Sequence, residues 1–139
     1  MNLSEGYQIE DPQVLVPWGI TEGQLLKLLP VKPREVTDGY YWLNCVSLSG
    51  LGHVLGFHFA PRQDGRLSEF EVFRRSYGDM VASYDEFQHH LVATFGEPTQ
   101  QTPGDEGLPN CTWQLGTAQT QHSVFNRFRP EEHVRLVRR

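Results

Sequence analysis

The sequence predicts an α+β domain of two helix–strand–strand–strand repeats, forming an antiparallel sheet with the helices packed on one face. Three observations carry this expectation. Two segments open on capping-box residues and continue with helical apolar spacing. Each leads to an Asn-Cys segment of strand character, NCVSLSG at 44–50 and NCTWQLG at 110–116. Each of those leads to a third matched stretch, HVLGFHFAP at 53–61 and HSVFNRFRP at 122–130, with His first, Phe seventh and Pro ninth. A common order of matched features is the signature of an internal repeat. Repeat 1 spans about 18–75 and repeat 2 about 83–139, inside a single domain covering 1–139.

Residues 1–17 lie outside the repeats and supply an initial strand, QVLV, leading into Pro17-Trp18-Gly19. Thr21 and Gln24 form the first capping box: a hydroxyl for the amide three residues on, and an amide side chain that reaches back. The helix runs about 22–29, with Leu25, Leu28 and Leu29 on one stripe, and Pro30 and Pro33 stop it. YYWLNCVSL follows as a strand, with Tyr40 and Trp42 on one side and Tyr41 on the other. HVLGFHF and RLSEFEVFRR (66–75) complete the unit, the latter placing Leu67, Glu69, Glu71 and Phe73 on one face. Ser83 and Glu86 form the second capping box, for a helix over about 84–95 with Phe87, Leu91, Val92 and Phe95 inward. Gly96 and Pro98 end it. TQQTPGDEGLP (99–109) is the most loop-like stretch and is expected to be mobile. CTWQL, HSVFNRF and HVRLVRR (133–139) are the strands of the second unit.

Composition narrows the function. Sixteen aromatic rings in 139 residues suit a well-filled core or an aromatic surface. A net charge of −5 argues against a general nucleic-acid binder. No apolar run reaches membrane-helix length, so no membrane partner is expected. The polar, acidic start MNLSEGYQIEDPQ is unlike a signal peptide, which makes the cytoplasm the expected compartment. Cys45 and Cys111 are too few for a disulfide framework and read as buried thiols.

Chemical motifs are scarce. Cys45, His53, Cys111 and His122 would make a Cys₂His₂ zinc set if two sheets met about a pseudo-twofold axis. The gaps of seven and ten residues lack the close-pair spacing of structural zinc, and these positions read better as strand starts. Adjacent His89 and His90 point about 100° apart on a helix and do not share a metal. Glu69 and Glu71 lie on one strand, where a glycosidase pair needs carboxylates across a cleft; Arg66 or Arg135 serve as cross-strand partners. Nucleophile, phosphate-loop and zinc-protease motifs are absent. No catalytic residue, metal or cofactor is therefore expected.

Nine of the twelve basic residues cluster in two segments: Arg62, Arg66, Arg74, Arg75, Arg127, Arg129, Arg135, Arg138 and Arg139. They can steer an acidic partner or protect sheet edges. Exposed Tyr and Trp are favoured interface anchors. The candidate partner-binding residues are accordingly Tyr40, Tyr41, Trp42, Arg74, Arg75, Arg127 and Arg129, with Asp105 and Glu106 from the 99–109 loop. Trp18 and Trp113 are expected in the core.

WGITEGQLLKLLP, a strand, a Gly and then a capped helix, resembles the entry of the unit found in the β-lactamase inhibitory proteins and in the outer-membrane assembly lipoprotein BamE (SmpA). The resemblance covers about residues 14–139 as architecture. The lipobox Cys of the lipoprotein and the disulfides of the secreted inhibitors are missing. It implies a binding role in the style of small bacterial immunity proteins. The expected function is thus a non-enzymatic protein-binding module, an immunity or inhibitor protein whose partner is another protein of acidic character. Two alternatives stand beside it. One is a small-ligand binder or enzyme with a pocket between helix and sheet; the other is homodimerisation through sheet edges.

Overall fold

The computed structural model describes residues 1–60, 65–75, 78–126 and 128–138. It is mostly β: strands hold 51% of these residues and helices 20%. This corrects the expected fold of two αβββ units with helices packed on one face. In chain order the elements are β1 (Gly6–Ile9), β2 (Val14–Pro17), α1 (Glu22–Leu28), β3 (Arg34–Thr37), β4 (Tyr40–Ser47), β5 (Leu51–Ala60) and β6 (Arg66–Phe73). They continue with α2 (Met80–Phe95), β7 (Gln100–Thr102), β8 (Asn110–Leu115), β9 (Ala118–Asn126) and β10 (Pro130–Arg138). Each helix is followed by four strands rather than three. The unforeseen strands are β1, β3 and β7. The last two are short and largely exposed, so no apolar alternation marks them.

Eight strands make one antiparallel sheet in the order β3-β4-β5-β6-β10-β9-β8-β7, and β1 pairs with β2 as a separate hairpin. The order runs outward from the same central pair in both halves. That pair is β6 and β10, in register from Val72↔Val134 to Glu69↔Val137.

Local chemistry explains where the helices begin. Thr21 Oγ1 accepts from the Gln24 amide at 3.2 Å, and Gln24 Oε1 accepts from the Thr21 amide at 2.9 Å. The second helix starts a full turn earlier than expected. Asp79 caps it, its Oδ1 accepting from Val81 N at 2.9 Å and Ala82 N at 3.2 Å. Ser83, the expected cap, lies inside the helix and donates to Glu132 Oε1 at 2.6 Å. Gly96 ends the helix at φ 83, a left-handed value that suits glycine.

One sheet face is covered by the β1–β2 hairpin and α2, with α1 against β2. The seven-residue α1 buries only Leu25, whereas the hairpin with its flank buries Tyr7, Ile9, Val16 and Trp18. A short helix with one buried residue cannot cover half a sheet, and a two-stranded flap does so instead. Phe70 is the hub, with ring centroids 4.9 Å from Trp18, 5.1 Å from Tyr7 and 5.9 Å from Phe57. Phe87, Leu91, Trp113, Val134 and Leu136 extend the same core under α2 and are fully buried. Both expected core tryptophans are buried, with indole N–H groups donating to Leu3 O and Gly96 O.

Two register details redirect side chains. A bulge at Ser68, opposite the His58–Phe59 step, turns Leu67 into the core, while Glu69, Glu71 and Phe73 take the other face. The expectation that Leu67 shares their face is corrected. The expected match of Phe59 with Phe128 is corrected too: Phe59 is buried, but β9 ends at Asn126 and Phe128 is 102% exposed beyond it. The 99–109 stretch is tied down by β7 pairing with β8 and by a 3₁₀ turn, Asp105–Gly107. No helix among the described residues is long and apolar enough to cross a membrane.

Phe70→Ala should cost about 3–5 kcal/mol of stability, read by urea unfolding, whereas Phe73→Ala on the opposite face should cost much less.

Candidate functional site

Strand alternation divides the side chains into a covered and an open face. The open face carries Tyr40 and Trp42 from β4, His58 from β5 and Glu69, Glu71 and Phe73 from β6. Glu131, His133 and Arg135 from β10 and Phe125 from β9 continue it. Trp42 is its centre. Phe73 packs edge-on to it at 5.1 Å and Tyr40 at 6.1 Å between ring centroids. The guanidinium groups of Arg34 and Arg75 lie 5.7 and 5.8 Å from the centre of its ring, within cation–π range.

Beside this aromatic centre is a polar cluster. Tyr40 stacks on His58 with centroids 4.2 Å apart. Its hydroxyl donates to Glu71 Oε2 at 3.0 Å, and His58 Nε2 meets the same oxygen at 2.9 Å and Glu69 Oε2 at 3.6 Å. Arg135 stands directly opposite Glu71. Burial would raise the Glu71 carboxyl, but the hydrogen bonds from His58 and Tyr40 outweigh it and hold it below the usual range, with help from Arg135. Burial pushes the Tyr40 hydroxyl up to about 12. Gly56 makes room for the stack, since a Cβ there would sit 3.0 Å from Tyr40 Cε1.

An open groove of about 970 Å³ borders this centre, lined by Trp42, Glu71 and Phe73, by Arg74 and Arg75, and by Gly78 and Met80 at the start of α2. Residues Arg129 to His133 close it. A smaller hollow of about 350 Å³ adjoins it, sharing Glu131 and His133 and adding Phe125 and Arg135.

The sequence-predicted residues divide accordingly. Tyr40, Trp42 and Arg75 meet at the aromatic centre, and Arg129 lines the groove and is exposed. Arg74 also lines it but is held by Glu86 and lies 5.1 Å over the Phe87 ring. Tyr41 does not belong to the face: it is buried on the core side and donates to Glu35 at 2.8 Å and Glu22 at 3.1 Å. Asp105 and Glu106 are turned to Asn126, accepting from its backbone and side-chain amides, and line neither groove. Arg127, with Arg62 and Arg139, lies outside the described residues. Sequence reasoning missed Arg34, His58, Phe73 and His133 as members of the face. Their signal was there as alternate positions along strands, but it needed the register to be read.

The covered face holds two further polar clusters. Cys45 pairs across strands with His53, and Cys111 with His122. In the first, His53 Nε2 meets Ser47 Oγ at 2.5 Å and Cys45 Sγ at 3.9 Å, and Tyr7 OH meets Ser47 Oγ at 2.5 Å. In the second, Gln88 links His122 Nδ1 at 2.7 Å to Cys111 Sγ at 3.5 Å, and His122 Nε2 meets Glu132 Oε2 at 2.5 Å. The two histidines stand on β5 and β9, three strand spacings or about 14 Å apart, so the four residues do not converge on one zinc ion. No group of three metal-ligating side chains occurs among the described residues. Ser83, Glu132 and His122 are not a nucleophilic triad either. The serine bonds the carboxylate rather than the imidazole, and the His122 and Glu132 side chains are 0% and 1% exposed.

The chain matches no family model and no curated protein. Among solved structures it is similar to a DUF4309 family protein, YjgB, from Bacillus subtilis subsp. subtilis str. 168. The identity is 15%, the match covers 86% of this chain and 78% of that one, and the TM-score is 0.45. At that score the likeness carries no argument.

Burial pulls His53 down to about 4, against the partial opposition of its hydrogen bond to Val54 O. An unfolded histidine titrates near 6.5, so between about pH 6.5 and 4 the unfolded chain binds the extra proton. Stability should therefore fall as pH drops through that window, by up to about 3 kcal/mol from this residue. Urea unfolding across the window should show His53→Gln with a flatter dependence by about that amount.

Proposed function

We propose that this chain is a non-enzymatic protein-binding module that docks its partner on the open face of the eight-stranded sheet. The observation that carries the reading is the Trp42 centre: an aromatic cluster flanked by arginines within cation–π range and bordered by a groove, on the face that no other described element covers. Interface hot spots favour Trp, Tyr and Arg in this arrangement, because they offer large contact area with few rotatable bonds. Within this reading the chain acts as an immunity or inhibitor protein, occluding a functional surface of its partner.

The ligand-pocket alternative has less support. It needs space between helix and sheet, and that space is filled by Phe87, Leu91, Trp113 and Leu136, all at 0% exposure.

Affinity capture from the native cell should recover a stoichiometric partner with the wild-type chain. Trp42→Ala combined with Phe73→Ala should lose it, while Glu97→Gln on the far side should keep it. In the inhibitor reading the captured partner's activity should fall as the chain is added to equimolar ratio. A partner kept by the face variant, or recovery of chaperones alone, would refute the docking face. A dimer by light scattering that the face variant dissociates would assign the face to self-association instead.

A further inference from the structure

Resting on the reading above that the open face binds a protein, we propose that the segment seated in the groove is an acidic polypeptide. Its carboxylates are taken by Arg75 and Arg129, and an apolar side chain rests on Trp42 and Phe73.

Charge accounting leads there. Three described carboxylates line the groove. Glu71 is engaged by Tyr40 and His58, and Glu132 is buried against Ser83 and His122. Glu131 is exposed, with His133 Nε2 at 3.6 Å from it. Among the arginines, Arg74 is held by Glu86, whereas Arg75 and Arg129 make no ion pair with any described residue. The uncommitted charge is therefore positive, with Glu131 as its one loosely engaged opponent.

Hydrogen-bond accounting points the same way. His133 Nδ1 is shielded from solvent and has no hydrogen-bond partner. The indole N–H of Trp42 closes no hydrogen bond, although it lies near enough to the Tyr40 hydroxyl to favour that group's ionised form. An indole N–H is a donor only. Such groups are rarely left without partners in a finished interior; the indole lacks an oxygen acceptor, and the imidazole nitrogen lacks a donor or an acceptor according to its tautomer. The Arg75 guanidinium lies over the indole at 5.8 Å and makes no ion pair with any described residue, and a guanidinium so placed suits a carboxylate in a bidentate grip. Nucleic acid would offer anions too, but a chain of net charge −5 repels an extended polyanion, whereas two arginines suffice for a short acidic segment.

The test uses synthetic peptides of equal length: one with Asp and Glu flanking Phe and Leu, a second with Asn and Gln in their place, a third with Lys. Binding is read from the indole N–H resonance of Trp42 in the labelled full chain, assigned with Trp42→Phe. The acidic peptide should move this signal, and raised salt should weaken its binding. Arg75→Gln combined with Arg129→Gln should weaken binding by at least roughly tenfold. The inference is overturned if the acidic peptide leaves the signal unmoved, if the neutral or basic peptide binds as well, or if the arginine variant binds like the wild type. It is also overturned if a single-stranded RNA oligonucleotide displaces the acidic peptide at lower concentration. A neutral or basic peptide that moves Trp42 removes the acidic specificity and leaves the docking face standing. A captured native partner that leaves Trp42 unmoved removes both.

Discussion

The pairing of β6 with β10 is the contact on which both faces of the molecule depend. It joins β3–β6 to β10–β7, so that eight strands form one sheet instead of two. On the covered side it sets Phe70 opposite Leu136 and Val72 opposite Val134, all essentially inaccessible to solvent. On the open side it sets Glu71 opposite Arg135. Because successive residues alternate faces, one register fixes core and surface together. A slip of one residue along this pair would put the glutamates in the core and the valines in water. The groove depends on the same junction, since its walls come from the end of β6 and the start of β10.

The covered face shows how the two halves solve one problem differently. Each places a Cys opposite a His across neighbouring strands and buries both. A buried imidazole needs partners for two nitrogens. The first half supplies Ser47 and a backbone carbonyl, which suits a neutral ring. The second half supplies Gln88 and the Glu132 carboxylate. The matched residues are thus interior fittings whose chemistry is consumed within the protein. On the open face the Trp42 indole N–H is left without a hydrogen-bond partner.

Much of this was legible in the sequence, and the gaps have physical causes. The first capping box, the central strands and the split of Tyr40 and Trp42 from Tyr41 follow from local rules, and the structure has them. The second helix start was misplaced because Ser83 satisfies the capping pattern while its hydroxyl has a distant partner in Glu132. Leu67 was assigned to the wrong face because a bulge at Ser68 changes the alternation, and a bulge leaves no local trace. The expected balance of helix and strand failed because β3 and β7 are polar edge strands that resemble loops. Of the site, Tyr40, Trp42, Arg75 and Arg129 were visible as residue types. That His58, Phe73 and His133 lie beside them depends on which strands become neighbours, a nonlocal fact.

The two ends of the sheet are four- and three-residue strands, β3 and β7. One has an irregular register between Glu35 and Thr37, and the other runs into Pro103. Such margins offer few free amide and carbonyl groups in line and give an incoming strand little to template on. The molecule is thereby protected against stacking into fibres through its own backbone. The same economy bears on the proposed docking: a partner would gain little by adding a strand at the border and would have to approach broadside, where selectivity would rest on side chains that single mutations can retune without disturbing the ladder beneath.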